Sequence, residues 1–194
     1  MKPIFPRDIF GPVKLMETPR LILRKITPDD SEDMFEYASL ESVTEYLTWY
    51  PHPTLQYTRR YVRSLSKCYS NGTFFDWGLE LKSEHKFIGT CGYTSYDLQN
   101  NSVEVGYVLS PSYQHRGLMT EALGAVLGHA FGTVGAERVE ARHIVGNNLS
   151  AAVMKRCRMK YEGTARHFLY IKDKYRDISI YSILKDEYFN PPVC

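Results

Sequence analysis

The chain has 194 residues, 43% of them hydrophobic, and a formal net charge of +2. That length fits one domain with short extensions, and so even a charge balance gives no reason to make nucleic acid the main partner. No apolar run approaches the ~18–20 residues that span a bilayer. The opening MKPIFPRDIFGPVKL scatters charge and proline where a signal peptide would be apolar, so a cytoplasmic protein is expected.

The elements read in chain order as β, α, α, β, β, β, α, β, α, β, β. TPRLILRKI, residues 18–26, alternates as a strand does. A helix then starts with Thr27 as cap, Pro28 in the first position and acids in the first turn. A second helix is expected over 54–71, with Tyr57, Tyr61, Leu65 and Cys68 along one side and Asn71-Gly72 ending it. Three strands follow at 74–81, 86–96 and 102–109, with links short enough for antiparallel hairpins. A helix over 117–132, a strand over 137–144 and a short helix in NNLSAAVMKRC come next. RHFLYIK and DISIYSIL form a closing pair of strands. The first dozen residues and the tail NPPVC are expected to be loose ends.

The four cysteines, Cys68, Cys91, Cys157 and Cys194, form no CxxC pair and no Cys/His set with zinc spacing, so reduced thiols and no metal are expected. Between Lys155 and Arg176 eight basic residues face only Glu162 and Asp173. That stretch reads either as a solvated face or as a patch for phosphates or an acidic partner.

The densest signal is LSPSYQHRGLMTEALGAVLGHAF, residues 109–131. A strand that feeds a helix through a glycine-bearing turn makes a concavity of backbone N–H groups, and the helix dipole adds positive charge there. Gly117 permits close approach, and His115 and Arg116 bring charge to the rim. Such a loop suits a phosphate-bearing ligand, although it is neither a Walker A nor a GxGxxG motif.

Gln114-His115-Arg116-Gly117-Leu118-Met119 resembles the acetyl-CoA loop of the GNAT superfamily of N-acetyltransferases. ETPRLILRKITPDD, FIGTCGY, VEVGYVLSPSYQHRGLMTEAL, RVEARHIVGNNLSAAVMKRCRMKYEG and RDISIYSIL are similar to further family segments and lie in the family's order. The ribosomal-protein alanine N-acetyltransferases are the branch most similar. The resemblance implies an α/β (α+β) fold: a mixed, mostly antiparallel sheet flanked by helices, its fourth and fifth strands splayed. It places the acetyltransferase domain at 15–188, after an extension of 1–14 and before a tail of 189–194. Two residues depart from the pattern. Met119 fills a slot usually held by Gly or Ala, so its side chain must turn into the core. Arg158 stands where a left-handed glycine is usual, at a cost of roughly 1 kcal/mol if it adopts that conformation.

The resemblance implies direct acetyl transfer from acetyl-CoA to a primary amine, with no covalent enzyme intermediate. It assigns the pantetheine to the backbone of Val108, Leu109 and Ser110, and the pyrophosphate to Gln114, His115, Arg116, Gly117, Leu118, Met119 and Thr120. Asn147 and Lys155 complete the cofactor set, and Ser150 is the acid candidate at the sulfur. Ser150 and the asparagines are equally natural helix caps. Glu104, on the opposite face from Val103, Val105 and Tyr107, is a base candidate, and Glu162 a second. Tyr46, Trp49, Tyr50 and His52 are expected to contact substrate or to pack under a loop.

An α-amine has a pKa near 7.7–8.0 and lysine one near 10.4, so neutralising lysine at pH 7 costs roughly 3 kcal/mol more. The lack of an obvious strong base therefore favours a protein N-terminus, such as a ribosomal one, as acceptor. A polyamine, amino acid or aminoglycoside is the alternative, and a non-catalytic acyl-CoA-binding module a third reading. No membrane partner is expected, nucleic acid only through a ribosomal substrate, and monomer and homodimer both stay open.

Overall fold

A computed structural model describes residues 13–71 and 75–190. Residues 1–12 of the expected extension, Gly72, Phe74, and tail residues 191–194 with Cys194 lie outside the described residues. The strands are β1 (Met16–Glu17), β2 (Leu21–Arg24), β3 (Phe75–Leu81), β4 (Lys86–Asp97), β5 (Ser102–Leu109), β6 (Arg138–Ile144), β7 (Lys160–Ile171) and β8 (Lys174–Leu184). They form one sheet in the order β1-β2-β3-β4-β5-β6-β8-β7. Every pair is antiparallel except β5 with β6. The helices are α1 (Ser31–Ala38), α2 (Glu41–Thr44), α3 (Leu55–Asn71), α4 (Leu118–His129), α5 (Asn148–Arg156) and α6 (Lys185–Phe189). Among the described residues no helix is long and apolar enough to cross a membrane.

Alternation along the strands divides the apolar residues between two cores. Leu23, Trp77, Leu79, Cys91, Val103, Val105, Val139 and Ala141 pack against Leu123, Val126 and Leu127 of α4. On the opposite face Ile26 and Phe87 meet Met34, Tyr37 and Ala38 of α1 and Val62 and Leu65 of α3. Met119 is buried in the first core, as its place in the loop requires. Arg158 takes the left-handed conformation with φ +63° and closes the turn after α5.

Several expected boundaries move, each for a local reason. The strand expected over 18–26 is broken, because Thr18 and Leu21 close a turn around Pro19 between β1 and β2. The first helix begins as a tight turn at Pro28–Asp30, since the Asp30 carboxylate is drawn back to the Thr27 N–H and to Arg24. The helix expected to end near residue 132 stays α-helical only to His129 and ends in a wide turn over Ala130–Val134. β7 starts six residues before the expected Arg166, at Lys160. It is an edge strand, largely exposed, held by its ladder to β8 rather than by burial.

Candidate active site

β5 and β6 run parallel only from Ser102↔Arg138 to Val105↔Ala141. Beyond that point β6 stays with β8 as far as Ile144↔Ile178, and β5 stays with β4 as far as Gly89↔Leu109. The two strands therefore splay from Gly106 onward. Backbone polarity alternates along a strand. The Ser110 N–H donates to Ile88 O at 2.8 Å, so Ser110 faces β4. Tyr107 and Leu109 then turn their main-chain groups toward the gap, where no strand lies opposite. The Leu109 carbonyl accepts there from Gln114 Nε2 at 3.3 Å.

The gap opens into a cleft of about 720 Å³. One wall is the end of β5, with Tyr107, Val108 and Leu109. A second is the turn and first residues of α4, with Gln114, His115, Gly117, Leu118, Met119 and Thr120. A third is α5, with Asn147, Asn148, Leu149, Ser150, Ala152, Val153 and Arg156. The fourth is Ser42, Val43, Tyr46 and Leu47 around α2.

The α4 entrance is built for an anion. Gly117 (φ +75°) and His115 (φ +61°) are left-handed, which turns successive N–H groups inward ahead of the helix. A Cβ built on Gly117 meets nothing nearer than Arg20 Nη2 at 3.6 Å, so the surface stays open to a ligand. Glu121 in the first turn would repel phosphate, but it is neutralised. It accepts from Arg20 Nε at 2.6 Å, from the Arg20 N–H at 2.8 Å and from Thr18 Oγ1 at 2.6 Å. Arg20 also donates to the Arg116 carbonyl at 2.8 Å, which fixes the loop.

At the splay, the Tyr107 hydroxyl lies 2.9 Å from Ser150 Oγ and 3.0 Å from the Ser150 carbonyl. Desolvation pushes the phenol pKa up, so this hydroxyl stays protonated and can donate. Asn147 caps α5, its Oδ1 accepting from the Ser150 N–H at 3.1 Å. Ser150 is thus the residue whose N–H is capped, and its hydroxyl is left to pair with Tyr107. From the sequence Tyr107 and Tyr161 are both possible donors to the thiolate, weakly marked among fifteen tyrosines; the structure sets Tyr107 at Ser150 and pairs Tyr161 with Thr164 instead.

Other expected site residues lie elsewhere. By the same alternation Val108 and Ser110 turn their main chains to β4 and not to the gap expected to hold pantetheine; the Ser110 N–H donates to Ile88 O, and its carbonyl accepts from the Tyr113 N–H. Arg116 does not line the cleft; its guanidinium stacks over the Tyr113 ring at 5.5 Å. Lys155 is exposed and turned away, because the face of α5 toward the cleft is 149, 152, 153 and 156. Arg156 takes that place. Glu162, on β7, is bound to Arg138 at the start of β6 at 2.5 and 2.6 Å and to Ser182 Oγ at 2.5 Å, away from the splayed ends. The Arg138 guanidinium holds its carboxyl down at about 2, which unsuits it as a base.

Glu104 does not line the cleft either; its carboxylate faces Ser95 Oγ at 3.3 Å and Arg142 at 3.5 Å. Of the aromatic loop only Tyr46 reaches the cleft. His52 is buried, with Nδ1 2.9 Å from Thr58 Oγ1 and its ring among Trp49, Tyr57 and Tyr61, so it packs the loop. Tyr50 is exposed beside Lys172. Cys157, near the Thr120 carbonyl, has its thiol pushed up to about 11 by burial, which argues against a nucleophile.

The acetyltransferase (GNAT) domain family matches residues 20–160. The chain belongs to the GNAT family. An uncharacterized N-acetyltransferase of Bacillus subtilis strain 168, YoaA, is 27% identical over 171 residues, 88% of this chain and 97% of the relative. The [ribosomal protein uS5]-alanine N-acetyltransferase of Escherichia coli K12 is 25% identical over 178 residues, 84% of this chain and 86% of that one. A crystal structure of a GNAT-family acetyltransferase from Bacillus anthracis superposes with a TM-score of 0.79 at 26% identity, covering 90% of this chain and all of that one. This GNAT protein is an acetyltransferase that uses acetyl-CoA. The open glycine cradle, the free ladder edge of Tyr107 and Leu109 and the first-turn N–H groups of α4 fit that donor.

Proposed function

We infer that the protein acetylates the N-terminal α-amine of a protein, one of ribosomal type, within a single catalytic domain of residues 15–188. The observation that carries the choice of acceptor is the lining of the cleft. Among the described residues it offers hydroxyls, amides, His115 and Arg156, and no carboxylate. Such a lining suits an amine that is already partly neutral near pH 7, which an α-amine is and a lysine is not. The similarity to the uS5-alanine enzyme points the same way. A ribosomal acceptor places the reaction in the cytoplasm.

Acetyl-CoA, when bound, supplies an activated acyl group; the protein supplies position and a proton. The N–H groups at the start of α4 would hold the phosphates, and the free edge of β5 would hold the pantetheine amides. Tyr107, with Ser150 fixing its hydroxyl, would give a proton to the departing sulfur.

Two peptides test the acceptor: one with a free α-amine and no lysine, one with a blocked α-amine and a single lysine. Mass spectrometry after incubation with acetyl-CoA should find acetyl on the first at least about tenfold faster. Equal rates, or preference for the lysine, would overturn the assignment.

A further inference from the structure

On the sheet face that carries α1 and α3, three residues stand in one row across three strands: Asp76 on β3, Gly92 on β4 and Gly106 on β5. Gly92 and Gly106 have no side chains, so the row is a trough floored by backbone. Asp76 leans along it. A Cβ built on Gly92 would lie 2.5 Å from Asp76 Oδ1, which puts the carboxyl over Gly92. Gly106 is about one strand spacing further, ~4.8 Å, and is the residue at which β5 and β6 part. A Cβ on Gly106 would lie 2.6 Å from Thr94 Cγ2 and near no other atom within 4 Å, so the side chain of the exposed Thr94 edges the trough there.

We propose that Asp76 is the acceptor-side base: its carboxylate binds the incoming ammonium over Gly92 and takes its proton, which delivers a neutral amine to the acyl carbon at Gly106. This rests on the acetyltransferase reading above and deepens it by naming the group that handles the acceptor, a carboxyl set behind the carboxylate-free lining of the cleft rather than in it. The protons balance. The ammonium gives one proton to Asp76, which passes it to solvent. The nitrogen lone pair forms the C–N bond, the C–S bond breaks, and the electron pair leaves on sulfur. The second proton lost by nitrogen passes by way of the re-ionised Asp76 to solvent, sulfur gains one from the Tyr107–Ser150 pair, and that pair recovers a proton from solvent, so one proton is released in all.

The surroundings of Asp76 suit the role. Tyr37 of α1 and Tyr61 and Tyr69 of α3 face it, Asp30 lies near those tyrosines, and Cys91 lies beneath on β4. Along the face Glu104 is occupied with Ser95 and Arg142. Among the described residues no hydrogen bond or ion pair engages the Asp76 carboxyl. Desolvation pushes its pKa up to about 7, close to the 7.7–8.0 of an α-amine, so a single proton is readily passed between them.

The test is the pH dependence of kcat/KM for the wild type and Asp76→Asn, with the free-α-amine peptide and, in parallel, a small diamine. The wild type should give a bell, because the productive complex holds one proton between carboxyl and amine. The variant should lose about 100-fold at pH 7 and show a single rise that follows the amine's own ionisation, with acetyl-CoA affinity within about twofold of wild type. An unchanged profile or a loss below about fivefold would overturn the proposal. A wild type that acetylates only the diamine would overturn the N-terminal acceptor, and the same comparison on the diamine would still decide Asp76. Should the variant fail to fold, a ¹³C titration of the wild-type carboxyl decides the matter. Added acceptor peptide should lower the Asp76 midpoint, and an unmoved midpoint would refute the contact.

Discussion

Tyr107→Phe removes one oxygen and leaves the ring in place. The hydroxyl lost pairs with Ser150 Oγ at 2.9 Å and with the Ser150 carbonyl at 3.0 Å. One hydrogen bond of this kind is worth about 1 kcal/mol of net stability, a small part of the ~5–15 kcal/mol that holds a domain folded. A positioned proton donor is worth about 10²–10⁴ in rate, or ~3–5 kcal/mol of barrier. Catalysis should therefore suffer far more than folding. Thiol release from acetyl-CoA, followed with a thiol-trapping dye at saturating acceptor, should fall at least about 100-fold. Calorimetric affinity for acetyl-CoA should change less than about threefold, since the hydroxyl acts on the departing sulfur. Ser150→Ala should lower kcat less, because Tyr107 keeps its proton, and the double variant should be little worse than Tyr107→Phe alone. Losses that multiply, or a kcat drop below about fivefold for Tyr107→Phe, would show that the two hydroxyls are not a unit at the sulfur.

Gly117→Ala forces a side chain into a φ of +75° and into the open cradle. It should cost roughly 1–2 kcal/mol of stability and raise the acetyl-CoA Kd about tenfold or more by calorimetry. Glu162→Gln should leave kcat unchanged. Its folded pKa of about 2 lies below the unfolded value, so the pair with Arg138 stabilises above about pH 4.5 and loses that contribution as pH falls toward 2. The side chain is 41% exposed, so the loss on substitution should be only ~1 kcal/mol at pH 7, and absent at pH 2 in denaturant titrations. Arg24→Met strands the buried Asp30, which Arg24 holds at 2.7 and 2.8 Å, and should lower stability by about 3–5 kcal/mol. Asp76→Asn should do the reverse. A carboxyl raised to about 7 stabilises only while protonated, so its contribution is complete below about pH 4 and lost as pH rises through 7. The variant should gain about 2–4 kcal/mol at pH 8 and nothing at pH 4, from ~1.36 kcal/mol per unit.

Local chemistry made much of this protein legible in its sequence. The turn at 114–117, the buried Met119 and the left-handed Arg158 each follow from a residue and its immediate neighbours. The sandwiched strands β3 to β6 declare themselves by apolar alternation. What stayed hidden depends on contacts between distant residues or on solvated elements. Arg20 is tied to Glu121 across 101 residues, Arg138 to Glu162 across 24, and Tyr107 to Ser150 across 43. No pattern in a short window encodes those pairs. The first six residues of β7, 160–165, lack a buried face, and α2 is a single turn, so neither has a period to detect. Lys155 and Arg156 differ by one step of about 100° around α5, which decides which cation reaches the cleft. Asp76 looks unremarkable in FFDWGLEL, because its role depends on the register that sets it beside two glycines.

The central claim is that the gap between β5 and β6 holds the thioester with its sulfur at the Tyr107–Ser150 pair. A crystal structure of the protein with CoA bound tests it directly. Pantetheine should lie along the free edge of Tyr107 and Leu109, pyrophosphate at 114–120, and the thiol within about 4 Å of the Tyr107 hydroxyl. A thiol directed elsewhere, or a pantetheine lying outside the splayed strands, would contradict it.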